Sequence, residues 1–336
     1  MKEFKSVSLH DVAKKSKVSI STVSRVINEA RNISPETLLR VQKAIKVLDY
    51  KPNRVAQRLR LPTGQRKVIG LLVPDIQNPF YVDVVKGVED LALANGFAVL
   101  MGNFGQEQDK EALYLDLMLS ESVDGLIVGP SDEKQNKIAE LIKNEFPLVC
   151  IDRSLSVIDS DVVLVNNHDA AFHAVEHLIQ RGYKRVAYIG GLGTIATTMK
   201  RKEGYIAALT KYNIEIDKQL IRLGDSKHQS GKSLAGELLD LPTPPDAFFT
   251  GNNLITLGAL ETIHNRGLRI PEDIAIVGFD DMPWSISLNP PLTAVSQPGY
   301  EIGKRAAEML FHRIVDPHRK PVQLVLNAEL IIRKST

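Results

Sequence analysis

Two short motifs in the sequence could carry enzyme chemistry, and the first is a glycine loop. Gly191-Leu192-Gly193-Thr194-Ile195-Ala196 fits the Gly-x-Gly-x-x-Gly/Ala pattern of loops that hold a dinucleotide pyrophosphate. That chemistry also needs an acidic residue about 20 positions later, at the end of the next strand. Here the next strand end, near Asp225, is about 30 positions away. We therefore favour a loop at a cleft, and a NAD-dependent enzyme is the less favoured alternative.

The second motif, His173-Ala174-Val175-Glu176-His177, matches an inverted zinc-protease pattern, in which both histidines bind the metal. A third ligand from a downstream acidic residue is not evident, and Leu178 and Ile179 continue the pattern of an ordinary packed helix. The sequence also contains no phosphate-binding Gly-x-x-x-x-Gly-Lys-Ser/Thr loop and no Gly-x-Ser-x-Gly elbow. We expect no metal, no cofactor and no enzymatic activity.

Positive charge is concentrated at one end of the chain. The 336 residues carry a net charge of +2, yet residues 1–67 hold 16 lysines and arginines against 5 acidic residues, a net charge of +11. The remaining residues therefore carry a net charge of −9. A basic head on an acidic body predicts a polyanionic partner for the head alone. A merely solvated basic face is the alternative.

Helix start signals predict three short amphipathic helices in this head. Ser8 can cap the first, with Asp11 at the capping-box position, and Ser19 can cap the second. Ser34-Pro35 marks the start of the third. Short helices joined by a tight turn are typical of a helix-turn-helix module.

The second helix has an outward face that suits DNA. Val23, Val26 and Ile27 point to one side, which leaves small polar groups, an isoleucine and an arginine on the other: Ile20, Ser21, Ser24, Arg25 and Asn28. Such a face can enter the major groove, where an arginine can bond guanine with two hydrogen bonds. A three-helix bundle that docks on a protein is the alternative.

A basic segment, residues 53–60, follows the third helix and precedes Pro62 and Gly64. Eight residues form about two helical turns, too few for a stable isolated helix. We expect this segment to become ordered only on a partner, where Leu59 could insert between base steps in the minor groove. An inert linker is the alternative.

The composition is that of an ordinary globular protein, with 43% apolar and 24% charged residues. Its apolar runs reach only about six residues, against the roughly 20 that a membrane helix needs. The N-terminus shows no secretion signal, and the single cysteine, Cys150, lies in an apolar run typical of a buried strand. We therefore expect a cytoplasmic protein without a membrane partner.

From Val68 onward, strand-like runs alternate with helical stretches in two similar cycles, which predicts parallel sheets in two lobes. Ligands of such folds bind at the carboxyl ends of the strands. Polar residues follow those ends here. The predicted strands are Val68–Val73, Ala98–Met101, Gly125–Val128, Leu148–Ile151, Val186–Ile189, Ile221–Leu223, Ala247–Phe249 and Ile274–Val277.

Several motifs together resemble the lac/gal repressor family over nearly the whole chain. In the head these are residues 8–13, residues 18–28 and Tyr50-Lys51-Pro52-Asn53. In the body they are Asn78-Pro79-Phe80-Tyr81 and Val277-Gly278-Phe279-Asp280-Asp281, with residues 69–74 and 123–127.

The resemblance implies an α/β core of two periplasmic-binding-protein-like lobes with parallel sheets, plus an N-terminal all-α helix-turn-helix domain and a hinge helix. We expect the DNA-binding domain at 1–52, the hinge and linker at 53–65 and the effector-binding and dimerisation domain at 66–336. Its first lobe would span about 66–165 and 296–323, and its second lobe about 166–295 and 324–336.

The resemblance also implies site residues. Those expected at DNA are Ser19, Ile20, Ser21, Thr22, Arg25, Asn28, Asn53, Arg54 and Leu59. Those expected at the effector are Phe80, Tyr81, Asp152, Arg153, Thr197, Arg201, Asn252 and Asp280. One departure concerns Asn252-Asn253, where the family usually has Asn-Asp; the loss of that carboxylate puts a common sugar effector in doubt.

The sequence thus predicts a repressor that binds a palindromic double-stranded operator as a homodimer, under the control of a small polar ligand such as a sugar. The chain lacks the leucine-heptad tail that joins two lac repressor dimers, so a dimer is expected. A sugar-binding protein without a regulatory role is the alternative.

Overall fold

The computed structural model describes residues 7–27, 33–48, 50 and 67–336. The chain divides into two compact units, Met1–Gln65 and Arg66–Thr336. The residues expected in DNA contact at Asn28, Asn53, Arg54 and Leu59 lie outside the described residues, so their roles stay predictions.

The first unit contains the three predicted helices, α1 (Leu9–Ser16), α2 (Ile20–Ile27) and α3 (Pro35–Val47). The capping box of α1 is formed: the Asp11 amide donates to Ser8 Oγ at 3.3 Å, and the Ser8 amide donates to the Asp11 carboxylate at 2.9 Å. Lys17 ends the helix in the left-handed conformation, which starts the turn into α2. A small core joins the helices, with Val12, Val23 and Val41 fully buried.

The first lobe of the second unit is a sheet of parallel strands in the order β11-β5-β4-β3-β1-β2. Helices lie between the strands along the chain, as the alternating pattern predicts. The elements are β1 (Val68–Val73), α4 (Pro79–Ala94), β2 (Ala98–Asn103), α5 (Gln108–Ser120), β3 (Leu126–Val128), α6 (Asn136–Lys143), β4 (Leu148–Ile151), β5 (Asp161–Val165), α11 (Gly299–Val315) and β11 (Gln323–Leu326).

The second lobe repeats the arrangement in the order β12-β10-β9-β8-β6-β7, with β12 antiparallel. Its elements are α7 (Asn167–Gln180), β6 (Val186–Gly190), α8 (Ala196–Lys211), β7 (Ile221–Leu223), α9 (His228–Leu239), β8 (Ala247–Thr250), α10 (Asn253–Asn265), β9 (Ala275–Phe279), β10 (Thr293–Ser296) and β12 (Glu329–Ile331), with short 3₁₀ turns at Lys218–Leu220 and Ser285–Ser287.

The chain crosses between the lobes three times, and the last crossing differs from the expected boundary. The sequence analysis placed residues from 324 onward in the second lobe, whereas strand β11 pairs with β5 in the first sheet as far as Leu326. The reason is packing, because Leu324 and Leu326 contact the first lobe's core. Among the described residues, no helix is long and apolar enough to cross a membrane.

Helices α4 and α11 pack with their backbones in close approach, which fixes one face of the first lobe. A side chain at Gly87 would overlap the carbonyl oxygen of Tyr300, and one at Gly303 would overlap that of Val84. Only glycine leaves room for this contact.

Gly87→Ala should therefore destabilise the protein by roughly 1–3 kcal/mol, because the added methyl group overpacks the contact between the helices. Gly236→Ala, on α9, is the matched control: its nearest neighbour would be the far end of Arg266 at 3.7 Å, so alanine should stabilise by roughly 0.4–1 kcal/mol. Urea unfolding would measure both variants. Equal stability of the two would contradict the packing argument.

Candidate functional site

The outward face of α2 has the composition and exposure predicted for base contacts. Val23 and Val26 are buried against the other helices, whereas Ile20 is 49% exposed and Arg25 is exposed. At the start of the helix, the Thr22 amide donates to Ser19 Oγ at 3.2 Å. Ser19 Oγ is also 2.7 Å from the Ser21 hydroxyl and 2.8 Å from that of Thr22, so the N-terminal hydroxyls form one cluster.

The described part of the head is basic on several sides. Lys14 and Lys15 lie in the last turn of α1, and Lys46 lies in the last turn of α3. Their position at helix C-termini is favourable for the helix dipole. The acidic groups of this region include Asp11 and Glu36, each in the first turn of its helix. In α1 and α3 these charges complement both helix termini, and the described part of the head keeps a surplus of positive charge.

A cavity between the two lobes brings together all eight residues predicted to contact an effector: Phe80, Tyr81, Asp152, Arg153, Thr197, Arg201, Asn252 and Asp280. Two of them form its charged centre. Asp152 follows β4 and Asp280 follows β9, and both are buried, with φ values of 64° and 74°. Aspartate tolerates this left-handed conformation better than most residues other than glycine.

The first lobe's half of the cavity is built around Asp152. Tyr81 donates to its Oδ2 at 2.9 Å, and Arg153 Nε lies 3.3 Å from the same oxygen. Burial, together with this carboxylate, raises the pKa of Tyr81 well above its usual value, so the phenol stays a hydrogen-bond donor. Phe80 packs edge-on against Tyr81, with 5.0 Å between ring centroids, and adds a flat apolar wall.

Two hydrogen bonds within the first lobe anchor the Arg153 side chain. Its Nη1 donates to the Pro130 carbonyl at 3.0 Å, and its Nη2 donates to Gln106 Oε1 at 3.2 Å. Its Nε is buried without a hydrogen-bond partner among the described residues. The guanidinium is thus held in place by bonds from both terminal nitrogens, whereas Nε makes no hydrogen bond within the described part of the chain.

The second lobe's half is built around Arg201. Its Nε donates to Asn167 Oδ1 at 2.7 Å and its Nη1 donates to the Gly251 carbonyl at 2.5 Å. The guanidinium lies over the Phe279 ring, 3.6 Å from the centroid. These contacts fix the plane of the guanidinium, which is the condition for bidentate recognition of two adjacent oxygens.

Asp280 faces both lobes. Gln297 Nε2 donates to its Oδ1 at 2.5 Å, and Asn78 Nδ2 lies 3.5 Å from its Oδ2. Burial raises the pKa of this carboxyl above its usual value, although Arg201 and Gln297 act in the opposite direction. Gln297 Oε1 is buried without a partner in the described part of the chain.

Asn252 lines the cavity, but its amide is already engaged. Its Oδ1 caps α10 by accepting from the Ile255 amide at 2.8 Å, and its Nδ2 donates to the Ser226 carbonyl at 2.9 Å. The asparagine directly before a helical run was a signal for this capping role. Four side-chain partners of the cavity residues were not predicted from the sequence: Asn78, Gln106, Asn167 and Gln297.

The contacts of the two enzyme-like motifs account for their residues without a nucleotide or a shared metal. Gly191 lines the cavity, where a side chain would overlap Ser226 Oγ, which explains a glycine there without a nucleotide. His173 contacts Glu176 at 3.3 Å, whereas His177 contacts the Thr336 hydroxyl at 2.8 Å. The two histidines therefore have different partners.

Comparison with known proteins connects both units to one family. The family model described as bacterial regulatory proteins, lacI family, matches residues 8–53. That for periplasmic binding proteins and the sugar binding domain of the LacI family matches residues 66–334.

Individual relatives are similar over almost their full length. The HTH-type transcriptional repressor CytR of Escherichia coli is 33% identical over 335 residues, which is 100% of this chain and 98% of the relative. The HTH-type transcriptional repressor PurR of Aliivibrio salmonicida is 34% identical, over 97% of this chain and 98% of its own.

Solved structures of regulators are similar to this chain over almost its whole length. The lac repressor dimer bound to operator and the anti-inducer ONPF has a TM-score of 0.81 at 28% identity, covering 98% of this chain and 99% of its own. The transcriptional regulator CelR–cellobiose complex has a TM-score of 0.74 at 31% identity, covering 98% and 100%.

Proposed function

The chain belongs to the LacI family of DNA-binding transcriptional repressors, and from that membership we propose that it represses its target genes from a palindromic operator as a homodimer. In this proposal a small polar ligand of the sugar class occupies the interlobe cavity and changes the DNA affinity. The observation that carries the proposal is the pairing, in one chain, of a basic helix-turn-helix with a cavity lined from both lobes. Proteins of this family are regulators without enzymatic activity.

The DNA part of the proposal is supported by the exposed face of α2. Arg25 offers a bidentate contact to guanine, and Ile20 offers an apolar contact to a thymine methyl group. The hydroxyls of Ser19, Ser21 and Thr22 suit phosphates or base edges. The net charge of +11 over residues 1–67 favours association with the DNA backbone.

The ligand class is supported by the chemistry of the cavity. Two carboxylates and two guanidinium groups, each with planar bidentate geometry, can each bond two adjacent hydroxyls of a sugar ring. Phe80 and Tyr81 supply an aromatic wall on which a ring face can stack. A related regulator has been seen in complex with cellobiose.

The proposed switch acts through the angle between the lobes. A ligand that bridges Asp152 and Arg201 binds one lobe arrangement better than another, and that difference in affinity shifts the equilibrium between arrangements. In a dimer the lobe angle would set the spacing of the two heads, and therefore the fit to two half-sites.

The proposed homodimer is supported by apolar side chains beside an exposed sheet edge. Strand β2 lies at the edge of the first sheet, with Met101 45% exposed. Leu93, Leu113 and Leu117, on the helices that flank this strand, are also exposed. Exposed apolar groups near an unpaired edge suit a self-complementary contact.

As a DNA-bound repressor, the protein would act in the cytoplasm.

Arg25→Ala should weaken binding to the preferred DNA site by roughly 1–3 kcal/mol and relax specificity at one base pair in each half-site. A base-by-base competition assay would measure this. Arg40→Ala, which removes the same charge from α3, is the control and should weaken binding to all sequences alike. An equally uniform loss in the Arg25 variant would mean that Arg25 contacts phosphate only.

Arg201→Ala and Asp280→Ala should abolish the response of DNA binding to ligand, because each removes a fixed group on the cavity wall. If the ligand is an inducer, both variants should keep operator binding without it; if it is a corepressor, both should lose operator binding in its presence. DNA titrations with and without mono- and disaccharides, alongside calorimetry, would test this. Arg266→Ala, on the surface of the second lobe, is the control. A normal response in the Arg201 variant would place the effector site elsewhere.

Sedimentation at micromolar protein should show a dimer. Leu113→Glu should shift it toward monomer, because a carboxylate would be buried in the proposed contact. Val157→Glu is the control, since this exposed residue lies in the loop before β5, away from the β2 edge. Unchanged dimerisation in Leu113→Glu would place the interface elsewhere.

A further inference from the structure

The side chain of Asn78, in the first lobe, contacts the second lobe directly at the edge of the cavity. Asn253 Nδ2 donates to Asn78 Oδ1 at 2.7 Å, between residues 175 positions apart in the chain. Asn78 directly precedes α4 in the first lobe, and Asn253 is the first residue of α10 in the second. Asn253 is only 1% exposed, so water competes little for this bond.

The orientation of the Asn78 amide is set by its own lobe. Its Oδ1 caps α4 by accepting from the Phe80 amide at 2.9 Å. A reversed amide would place an NH₂ group against that N–H and break the cap. The oxygen of Asn78 is therefore the group presented to the second lobe, with its Nδ2 on the side of Asp280.

The group that faces this oxygen must be a donor, and position 253 supplies one. Asparagine fits, whereas an aspartate of the same shape would oppose one acceptor with another, close to the buried carboxylate of Asp280. Asn253 keeps this orientation although its own Oδ1 is left buried without a partner among the described residues. Its Nδ2 also lies 3.5 Å from Met282 Sδ. This geometry explains why asparagine stands at position 253, where the family usually has aspartate.

We propose that Asn253 is a positioning residue which, through Asn78, clasps the two lobes together before any effector binds. The clasp favours the closed arrangement of the free protein, so that an effector must enter through a less populated open one. A protein with a fractionally populated binding state shows a proportionally lower apparent affinity. The clasp itself acts in the free protein, whereas its effect on effector entry rests on the proposed function.

The inference can be tested by a distance between spin labels on the two lobes. Lys134→Cys and Lys227→Cys place labels on exposed loops after β3 and β7. Cys150 is buried, and burial raises its pKa to about 12, so it should resist labelling. The full chain would be used, diluted with unlabelled chain so that only distances within one subunit are recorded by pulsed electron resonance.

Asn253→Asp should shift the distance distribution toward longer, open values, with a change in the closed-to-open ratio of roughly 3- to 10-fold or more, as expected for one lost hydrogen bond. Asn78→Ser keeps a good helix cap but is too short to reach Asn253, so it should open the lobes similarly. Asn78→Ser also removes the 3.5 Å contact from Asn78 Nδ2 to Asp280. Adding Asn253→Asp to it should therefore open the lobes less than Asn253→Asp does in the parent chain, because the Asn78–Asn253 bond is already absent.

Asn265→Asp, the same chemical change at the exposed end of α10, is the matched control and should leave the distances unchanged. Thermal unfolding of each variant would verify that the lobes remain folded. Distances equal to the parent's in folded Asn253→Asp and Asn78→Ser variants would overturn the proposal, as would additive opening in the double variant. Either result would leave the proposed DNA-binding function untouched.

Discussion

Asp152 and Asp280 are carboxylates at the ends of two parallel sheets, and the cavity between the lobes removes both from water. A buried carboxylate is strongly unfavourable unless hydrogen-bond donors or cations surround it. Tyr81 and Arg153 meet that need for Asp152, and Gln297 does so for Asp280. The remaining polar arrangement of the cavity follows from this constraint, because each of these donors must itself be held in place by its own lobe.

The chain separates its charges between two parts whose proposed partners differ in charge: DNA is a polyanion, and the effector is an uncharged polar molecule. The head carries the surplus positive charge and no deep polar cavity is needed there, since DNA is recognised on an exposed helix face. The body carries a net negative charge and buries Arg153 and Arg201 in the cavity. Separating the charges in this way favours DNA at the head, while the anchored arginines remain available for an uncharged polar ligand.

Much of this organisation could be predicted from the sequence, because it depends on local signals. The caps at Ser8 and Ser34 and the polar residues after buried strands each mark an element by its immediate neighbours. The contacts that cross between lobes could not be predicted, since Asn78 and Asn253 are 175 positions apart and belong to different sheets of the fold. The crossing after β11 was misplaced because a four-residue strand with two half-buried leucines does not indicate which of the two sheets it extends.

The central claim, that this chain reads a two-fold symmetric DNA sequence, can be measured without knowing the operator or the effector. Selection from a pool of random double-stranded DNA by the full-length protein, followed by sequencing, tests it directly. We expect this selection to enrich a palindrome with two equivalent half-sites. Enrichment of a single asymmetric site, or of no sequence at all while binding persists at low salt, would contradict it.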